Sequence, residues 1–459
     1  MRTNLKTLNA ERTHEGAVSV STSATNQLRR TVMACMLFED GFYESGDDSA
    51  KRMRDLVKVV PFADASQIAI DAREKMKLRH APLFLVREIL RHHKGRKVGD
   101  LIARVIQRPD ELAELLALYW KDGKDQPLTA QLKIGLARAF KKFSEYQIAK
   151  YNRDGSVKLR DVMFLSHVRP VGIPEDAEPK RTAKERKAGI VPARAPTEGE
   201  NLQYRLTSGQ LVTPDTWGVQ LSGGADKKAV FERLMTERKL GAMALLRNLR
   251  GMLEAGVSED AIRDALAAMK AERVLPFRFI SAAKHAPRLE DALELAMFRC
   301  LAEAPKLGGK TALLIDHSGS MQAAVSAKSE ISRFDAAAAL AMILRETCER
   351  VRVFTFSDRM IEVPPRRGFA MVQAVREVIN PVSTMLGSAV RTVYSVFPEC
   401  DRIIVVTDEQ SADRPPHPRG RGYIINVAGN RNGIGYGPWV TIDGWSEAVV
   451  EFIRASEES

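Results

Sequence analysis

The sequence predicts two regions of different fold class, a helical-repeat domain over residues 1–300 and an α/β domain over residues 301–459. Helical patterns without strand alternation run through the first region, which is typical of an α-solenoid or a ring of helix pairs. After about residue 305, short apolar runs alternate with helical patterns, which is typical of βαβ units in a doubly wound, mainly parallel sheet. Positive charge is also divided unequally between the two regions.

The helical region is predicted from apolar residues that recur every three or four positions. Leu132, Leu136, Phe140 and Phe143 share one helix face, which we expect to be buried. The same kind of spacing predicts helices at 28–37, 64–79, 82–93, 98–120, 130–151, 227–238, 240–255, 258–271 and 276–286.

A charged segment interrupts the helical pattern at residues 171–200. Its first half, Pro174–Lys187, is rich in charged residues and poor in apolar ones, and Pro192, Pro196 and Gly199 follow. This composition predicts an exposed, partly flexible insertion.

The α/β region is predicted element by element from the same two periodicities. Its apolar runs predict strands at 311–315, 351–356, 402–407 and 421–427. The patterns between and after them predict helices at 331–349, 367–379, 387–397 and 445–455. Ligands of such sheets bind beyond the carboxyl ends of the strands.

Five oxygen-bearing residues are predicted at that edge of the sheet. Asp316, Ser318 and Ser320 form a D-x-S-x-S array after the first strand, Thr384 lies in a turn-like segment, and Asp408 ends the third apolar run. Each aspartate alone is equally typical of a helix cap or a turn. Together, these oxygens suit a hard cation, Mg²⁺ or another divalent ion, with an open position that binds a partner.

The net charge of +12 belongs entirely to the helical region. After residue 300 there are 18 Lys and Arg against 19 Asp and Glu, whereas residues 1–300 hold 52 against 39. Excess positive charge on one domain is typical of a polyanion partner, most often nucleic acid. Because many soluble domains are mildly basic, charge alone leaves a merely solvated surface as the alternative.

Catalytic motifs are missing from the sequence. We find no G-x-x-x-x-G-K-[ST] phosphate loop, no H-E-x-x-H and no G-x-S-x-G. His317 adjoins Ser318 and Ser320, but on a strand-exit loop it should point away from them, so a serine nucleophile would lack a base. We therefore expect no enzymatic activity.

Membrane and disulfide signals are also missing. No apolar run approaches the ~18 residues of a transmembrane helix, and the first residues lack the apolar core of a signal peptide. The cysteines are scattered, which predicts a reducing, cytoplasmic environment. They are Cys35, Cys300, Cys348 and Cys400.

Roughly residues 305–459 resemble von Willebrand factor A domains with a metal-ion-dependent adhesion site. The resemblance implies that the three hydroxyls approach the ion and that the two aspartates contribute directly or through water. The segments that carry it are Asp316–Ser320, Ser383–Ala389 and Val406–Glu409.

The helical region resembles the TROVE module of the Ro autoantigen family, and the chain is identified as a bacterial or phage member. The resemblance covers almost the whole chain except residues 171–200. It implies a ring of HEAT-like helical repeats closed by the A-type domain. The segments that carry it are Asn26–Arg30 leading into Asp40–Tyr43, Lys150–Tyr151 with Asp161–Pro170, Leu240–Leu249, and Leu275–Pro287.

This resemblance implies a non-catalytic scaffold in RNA quality control or processing. Its partners would be small structured noncoding RNAs (Y RNAs), the single-stranded ends of misfolded RNAs, and an exoribonuclease or another RNA-processing protein. The chain would be monomeric and cytoplasmic, without a membrane partner. The alternative is a metal-dependent adaptor whose A-type domain recruits an acidic protein partner.

Candidate RNA-binding residues follow from the basic segment that ends near Arg169. In the family, the positions matching Lys150 and His167 lie on the RNA-binding surface. A second basic position of that helix falls near Asp154 here, which leaves its neighbour Arg153 as the candidate. Packing of the histidine at a helix start, and simple solvation of the basic helix face, remain alternatives. The full predicted set is Arg138, Lys141, Lys142, Lys150, Arg153, His167 and Arg169.

Overall fold

A computed structural model of the chain describes most of its residues, and these form twenty α-helices and a six-stranded sheet. None of the described helices is long and apolar enough to span a bilayer. The described residues are 12–19, 23–34, 46–121, 123, 126–169, 198–212, 214–270, 274, 277–302, 306–325, 330–378, 382–428, 430, 432–444 and 448–458.

Helices occupy the chain up to residue 302. They are α1 (Ala24–Ala34), α2 (Gly46–Val59), α3 (Phe62–Glu74), α4 (His80–His92), α5 (Val98–Val105), α6 (Pro109–Tyr119), α7 (Ala130–Phe140), α8 (Glu145–Tyr151), α9 (Leu159–Leu165), α10 (Glu198–Ser208), α11 (Trp217–Ser222), α12 (Lys227–Thr236), α13 (Ala242–Glu254), α14 (Glu259–Ala268), α15 (Phe277–His285) and α16 (Glu290–Ala302).

Strands and helices alternate after residue 306. They are β1 (Leu307–Asp316), α17 (Arg333–Thr347), β2 (Cys348–Phe356), β3 (Met360–Glu362), α18 (Gly368–Val378), α19 (Leu386–Val396), β4 (Arg402–Thr407), β5 (Arg421–Asn426), β6 (Val440–Asp443) and α20 (Ala448–Glu458).

The strand order of the sheet is β3-β2-β1-β4-β5-β6. All pairs are parallel except β2 with β3, which is antiparallel at the edge. The order reverses between β1 and β4, as in doubly wound sheets. The predicted fold class, helices followed by an α/β domain, is therefore confirmed, while closure of the helices into a ring stays a prediction.

Both faces of the sheet are covered by helices, so the central strands are apolar throughout. Leu313 and Ile315 of β1 belong to a core that includes α17, whereas Ala312 and Leu314 belong to a core that includes α19. Successive strand residues point to opposite faces, which explains this alternation. Helix α17 is buried along almost its whole length, and its four consecutive alanines, 336–339, allow that close packing.

The chain divides into two compact units, which we call unit 1 (residues 1–81 and 216–459) and unit 2 (residues 82–215). The sequence places a domain boundary near residue 300, where helices give way to strands. The compact units do not follow that boundary, since residues from α12 to α16 share one apolar core with a face of the sheet.

The predicted insertion at 171–200 lies outside the described residues except for its last three. These belong to the first turn of α10, where Glu200 is buried, so the insertion ends earlier than predicted. Asp40–Tyr43, part of one family segment, also lies outside the described residues.

Two predicted helices are each broken into two by local signals. Residues 98–120 form α5 and α6, because Pro109 opens a new helix and has no N–H to continue the previous one. Residues 130–151 form α7 and α8, because Ser144 starts α8 with a capping box to Gln147.

Several elements are absent from the sequence prediction. They have dense surface charge, few residues, or an edge position in the sheet, which weakens their periodicity. These elements are α2, α9, α10, α11, α16, β3 and β6.

Unit 2 contains an unusually close helix crossing. Gly135 of α7 faces Ile102 of α5, and a Cβ at residue 135 would stand 2.5 Å from the isoleucine Cβ. The predicted apolar face of α7 is confirmed, since Leu132 and Leu136 are fully buried. A glycine in mid-helix is intrinsically unfavourable, so the crossing itself accounts for it.

We expect Gly135→Ala to destabilise the chain by about 1–3 kcal/mol, because the methyl group overpacks against Ile102 despite the better helix propensity of alanine. Thermal unfolding would measure the change. Gly155→Ala is the control, since its added Cβ would meet no atom nearer than 3.7 Å. Equal stability of the two variants would contradict a tight crossing.

Candidate functional site

The predicted metal residues include two carboxylates at the carboxyl edge of the sheet. Asp316 is the last residue of β1, and Asp408 comes directly after β4. Because these strands are parallel neighbours, with Ile315 opposite Val406, both aspartates reach the edge where the strand order reverses. The fold thus brings together two residues that are far apart in sequence.

Asp316 is fully buried and held by two hydrogen bonds. The Ser318 backbone N–H donates to Oδ1 at 2.8 Å, and the Thr407 hydroxyl donates to Oδ2 at 2.5 Å. Burial, and secondly the charge of Asp408, raises the pKa of Asp316 to about 7. The two buried carboxylates repel each other, so a nearby cation would stabilise the pair.

The predicted hydroxyl ligands lie on two neighbouring loops. The Oγ atoms of Ser318 and Ser320 are 3.3 Å apart. Thr384 is buried, and its backbone carbonyl accepts hydrogen bonds from the Ser411 hydroxyl at 2.9 Å and from the Ala412 N–H at 2.8 Å. These bonds tie the Thr384 loop to the loop that follows Asp408.

One cationic residue of this edge is missing from the sequence prediction. Arg333, at the start of α17, donates from Nη1 to Asp408 Oδ2 at 3.0 Å, and both side chains are buried. The predicted helix at 331–349 could have indicated Arg333, because the first turn of a helix that follows β1 lies at the same edge of the sheet. His317 packs against Phe334, with ring centroids 4.7 Å apart.

The donor set fits a hard cation. The carboxylates are buried beside each other, and hydroxyl oxygens of adjacent loops lie at the same edge, which is the ligand chemistry of Mg²⁺. Among the described residues, no group of three or more His, Cys, Asp or Glu side chains is arranged to hold a metal ion. The metal ligands would therefore be two carboxylates and the neighbouring hydroxyls. Arg333 offsets the charge of one of these carboxylates, Asp408.

All seven predicted RNA-binding residues lie in unit 2. The following five are exposed and are the stronger candidates, since no described carboxylate pairs with them: Lys141, Lys150, Arg153, His167 and Arg169.

His167 is exposed because of how α9 ends. Its N–H donates to the carbonyl of Phe164, and the next N–H, of Val168, donates to the carbonyl of Met163. This is a Schellman cap, which requires a left-handed residue, and His167 has a φ of 53°. The alternative of a histidine packed at a helix start is thus wrong, since the residue follows a helix end and faces solvent.

Two of the predicted RNA-binding residues have structural partners. Arg138 forms an exposed ion pair with Asp100. The Lys142 ammonium donates to the carbonyls of Ala103 and Ile106 at the end of α5, where a cation complements the helix dipole. These contacts reduce the positive charge that the α7 face offers to a ligand.

Aromatic side chains accompany the exposed basic residues. The Tyr151 ring lies 4.7 Å from the Arg108 guanidinium carbon and 5.7 Å from Lys150 Nζ. Phe164 is 61% exposed and Tyr146 is 54% exposed. Exposed rings beside cations suit base stacking and phosphate contact. Sequence patterns do not reveal these rings, because an isolated aromatic residue is usually part of a core.

Comparisons with known proteins match residues in both the helical and the α/β region. The TROVE domain family matches residues 205–350. The chain is similar to the Ro (Rsr) protein of Deinococcus radiodurans, whose crystal structure superposes with a TM-score of 0.57 at 17% sequence identity, covering 94% of this chain and 99% of that one.

The chain is therefore similar to Ro proteins in its fold and carries a TROVE segment.

Two curated relatives match a shorter stretch. Telomerase protein component 1 of Rattus norvegicus and of Mus musculus are each 36% identical over 90 residues, or 18% of this chain. The chain spans about 3% of the length of these relatives. The family segments before residue 205 lie outside the TROVE match.

A buried ionic cluster connects α1 to the loop that carries Asp408. Arg30 donates to Glu409 Oε2 at 2.8 Å, lies 3.7 Å from Asp443, and stacks over Tyr436. Its side chain is 1% exposed, and Glu409 is fully buried. Further bonds run from Arg30 to the carbonyls of Asn430 and Asn432.

The N-terminal segment 12–18 binds the same loop. The Thr13 hydroxyl donates to the Ser411 carbonyl at 2.7 Å, and the His14 N–H donates to Gln410 Oε1 at 3.0 Å. The loop beside Asp408 is therefore held from the amino-terminal side of the chain, which sequence reasoning had no signal to find.

We expect Arg30→Met to destabilise the chain by about 3–5 kcal/mol, because it leaves buried carboxylates without a counter-charge. Burial raises the pKa of Glu409, and Arg30 opposes this shift. In the variant, the folded state therefore binds a proton more tightly than the unfolded state, so stability is lost as the pH rises. Denaturant unfolding at pH 5 and pH 8 should show the larger deficit at pH 8.

Arg29→Met is the matched control. Arg29 pairs with Asp71 at 3.1 Å but is 39% exposed, so its loss should change stability by less than about 1 kcal/mol. If the two variants were equally stable, the buried cluster would not have the role assigned to it.

Proposed function

We propose that this chain is a non-catalytic RNA-binding scaffold that binds small structured noncoding RNAs and the single-stranded ends of misfolded RNAs, in RNA quality control or processing. The TROVE match and the similarity to a Ro protein support RNA binding as the general role. The observation that carries the proposal is the exposed basic and aromatic surface of unit 2.

We define this unit 2 surface by Lys150, Tyr151, Arg153, His167 and Arg169. Its cations reach solvent, and the Tyr151 ring contacts both Lys150 and Arg108. Lysine and arginine neutralise phosphates, while rings and guanidinium planes stack on unpaired bases. A structured RNA with an unpaired tail offers both kinds of contact.

We further propose that the carboxyl edge of the sheet holds Mg²⁺ or another divalent cation. Asp316, Ser318, Ser320, Thr384 and Asp408 would hold it. When bound, the ion supplies an attachment point for an acidic group of a partner. The repulsion between the two buried aspartates supports this proposal. A protein such as an exoribonuclease would be one source of that acidic group.

Lys150→Glu combined with His167→Ala should weaken RNA binding about tenfold or more, because phosphate contacts dominate affinity. The ligand would be a hairpin RNA with a single-stranded 3′ tail, compared with blunt duplex RNA over a salt series. The salt dependence should also become shallower as contacts are lost.

The matched control is Lys94→Gln with Lys97→Gln. These exposed residues also lie in unit 2, and the pair removes the same formal charge. If both double variants lost affinity equally, the effect would reflect net charge and not this surface. If neither variant nor the unmodified chain bound RNA, while Mg²⁺ did bind, the adaptor function would be favoured.

Asp316→Asn should abolish stabilisation by Mg²⁺ while preserving the size of the side chain. In the unmodified chain, a concentration of Mg²⁺ near 100 times its Kd should stabilise the fold by about 2.7 kcal/mol. Thermal unfolding with Mg²⁺ and with a chelator would measure this. Asp358→Asn, at an exposed position of the same domain, is the control. An undiminished Mg²⁺ effect in Asp316→Asn would refute the site.

A further inference from the structure

Unit 1 contains a second concentration of positive charge, in a cavity of about 450 Å³. Helices α13 and α15 pack together there, and α12 adds a lysine. The cavity includes residues of the segments Leu240–Leu249 and Leu275–Pro287, to which the RNA surface of unit 2 gives no role. Its main polar lining residues are Lys227, Arg247, Asn248, Arg278, Ser281 and His285.

The cations of the cavity outnumber the acids that neutralise them. Of its two glutamates, one pairs with Arg250 at 3.5 Å and the other, Glu330, pairs with His285 at 2.7 Å. Lys227 and Arg247 have no carboxylate partner among the described residues. The cavity thus keeps positive charge that the protein does not itself offset.

The two arginines of the cavity are close enough to affect each other. Arg278 lines the cavity, where burial by surrounding protein atoms, and secondly the charge of Arg247, lowers its pKa. Like charges held near each other are unfavourable. An anion between them would reverse that repulsion.

A glycine makes room for the third cation. A Cβ at Gly251 would stand 2.8 Å from Lys227 Nζ. The missing side chain allows the ammonium of α12 to lie against α13 at the cavity. Apolar atoms of Met243 and Leu246 complete the lining and offer a surface for an organic group.

We propose that this cavity binds a phosphate monoester. Lys227 and Arg247, with Arg278 beside them, match the double negative charge of a monoester better than the single charge of a phosphodiester within an RNA chain. Guanidinium groups also bind phosphate through paired N–H donors. The group can come from a free mononucleotide or from the terminal phosphate of an RNA.

Calorimetric titration with inorganic phosphate, at constant ionic strength, tests the site in the full chain. The cavity variant is Lys227→Gln with Arg247→Gln, and the control is Lys228→Gln with Arg288→Gln, which removes the same charges at exposed positions outside the lining. Loss of two charge-assisted contacts should raise the Kd about a hundredfold in the cavity variant and leave the control unchanged.

Equal affinity in both double variants, or no phosphate binding by the unmodified chain, would overturn the proposal. Arg247→Lys keeps the charge but loses the paired donors, so its Kd should fall between those of the unmodified chain and the cavity variant. Thermal unfolding without phosphate identifies any variant that fails to fold. If the cavity variant fails to fold, the Kd of Arg247→Lys decides whether the cavity binds phosphate.

Two further ligands identify the source of the phosphate. Adenosine monophosphate binding more tightly than inorganic phosphate would identify a free nucleotide, with its base on the apolar wall. A short RNA that binds this cavity only when 5′-phosphorylated would identify an RNA end. The chain with Lys150→Glu and His167→Ala should still bind phosphate, so failure of the proposed RNA surface and failure of this site are distinguishable.

Discussion

The parallel pairing of β1 with β4 determines which side chains meet at the carboxyl edge of the sheet. It places Asp316 and Asp408 at one buried edge, where two carboxylates repel each other and lose hydration. Several surrounding groups offset the charge of these carboxylates. Hydrogen-bond donors from Thr407 and Ser318 hold the first carboxylate, and Arg333 holds the second. A divalent ion at this edge would therefore lie beside two carboxylates whose negative charge favours a cation.

Sequence patterns predicted this edge well because its signals are local. Apolar runs fix the strands, and the side chains that follow each run must lie at the carboxyl edge of a parallel sheet. Arg333 and Arg30 were not predictable in the same way. Each acquires its role from a partner distant in sequence, Asp408 or Glu409, and neither has a local signature that separates it from a surface arginine. Hydrophobic periodicity therefore does not predict which charged residues of a site are buried.

The basic residues of the helical region divide into structural and available ones. Charge alone treats Lys142 and Lys150 as equals, yet the first completes the end of a helix and the second reaches solvent beside Tyr151. A backbone requirement, the left-handed helix cap, exposes His167. The number of excess positive charges in a domain therefore does not predict how many of them contact a ligand. The unit 2 surface and the cavity of unit 1 are identified instead by which basic side chains lack a carboxylate partner within the described residues.

The discontinuity of unit 1 has a consequence for synthesis of the chain. Arg30 and Glu409 are 379 residues apart. At roughly 5–20 residues per second, the ribosome needs about 20–75 seconds to connect them. Unit 2 is continuous in sequence and can fold during that interval, whereas α1 must wait with an arginine whose native site does not yet exist. The first helix therefore stays without its native charge partner for most of the time that synthesis takes.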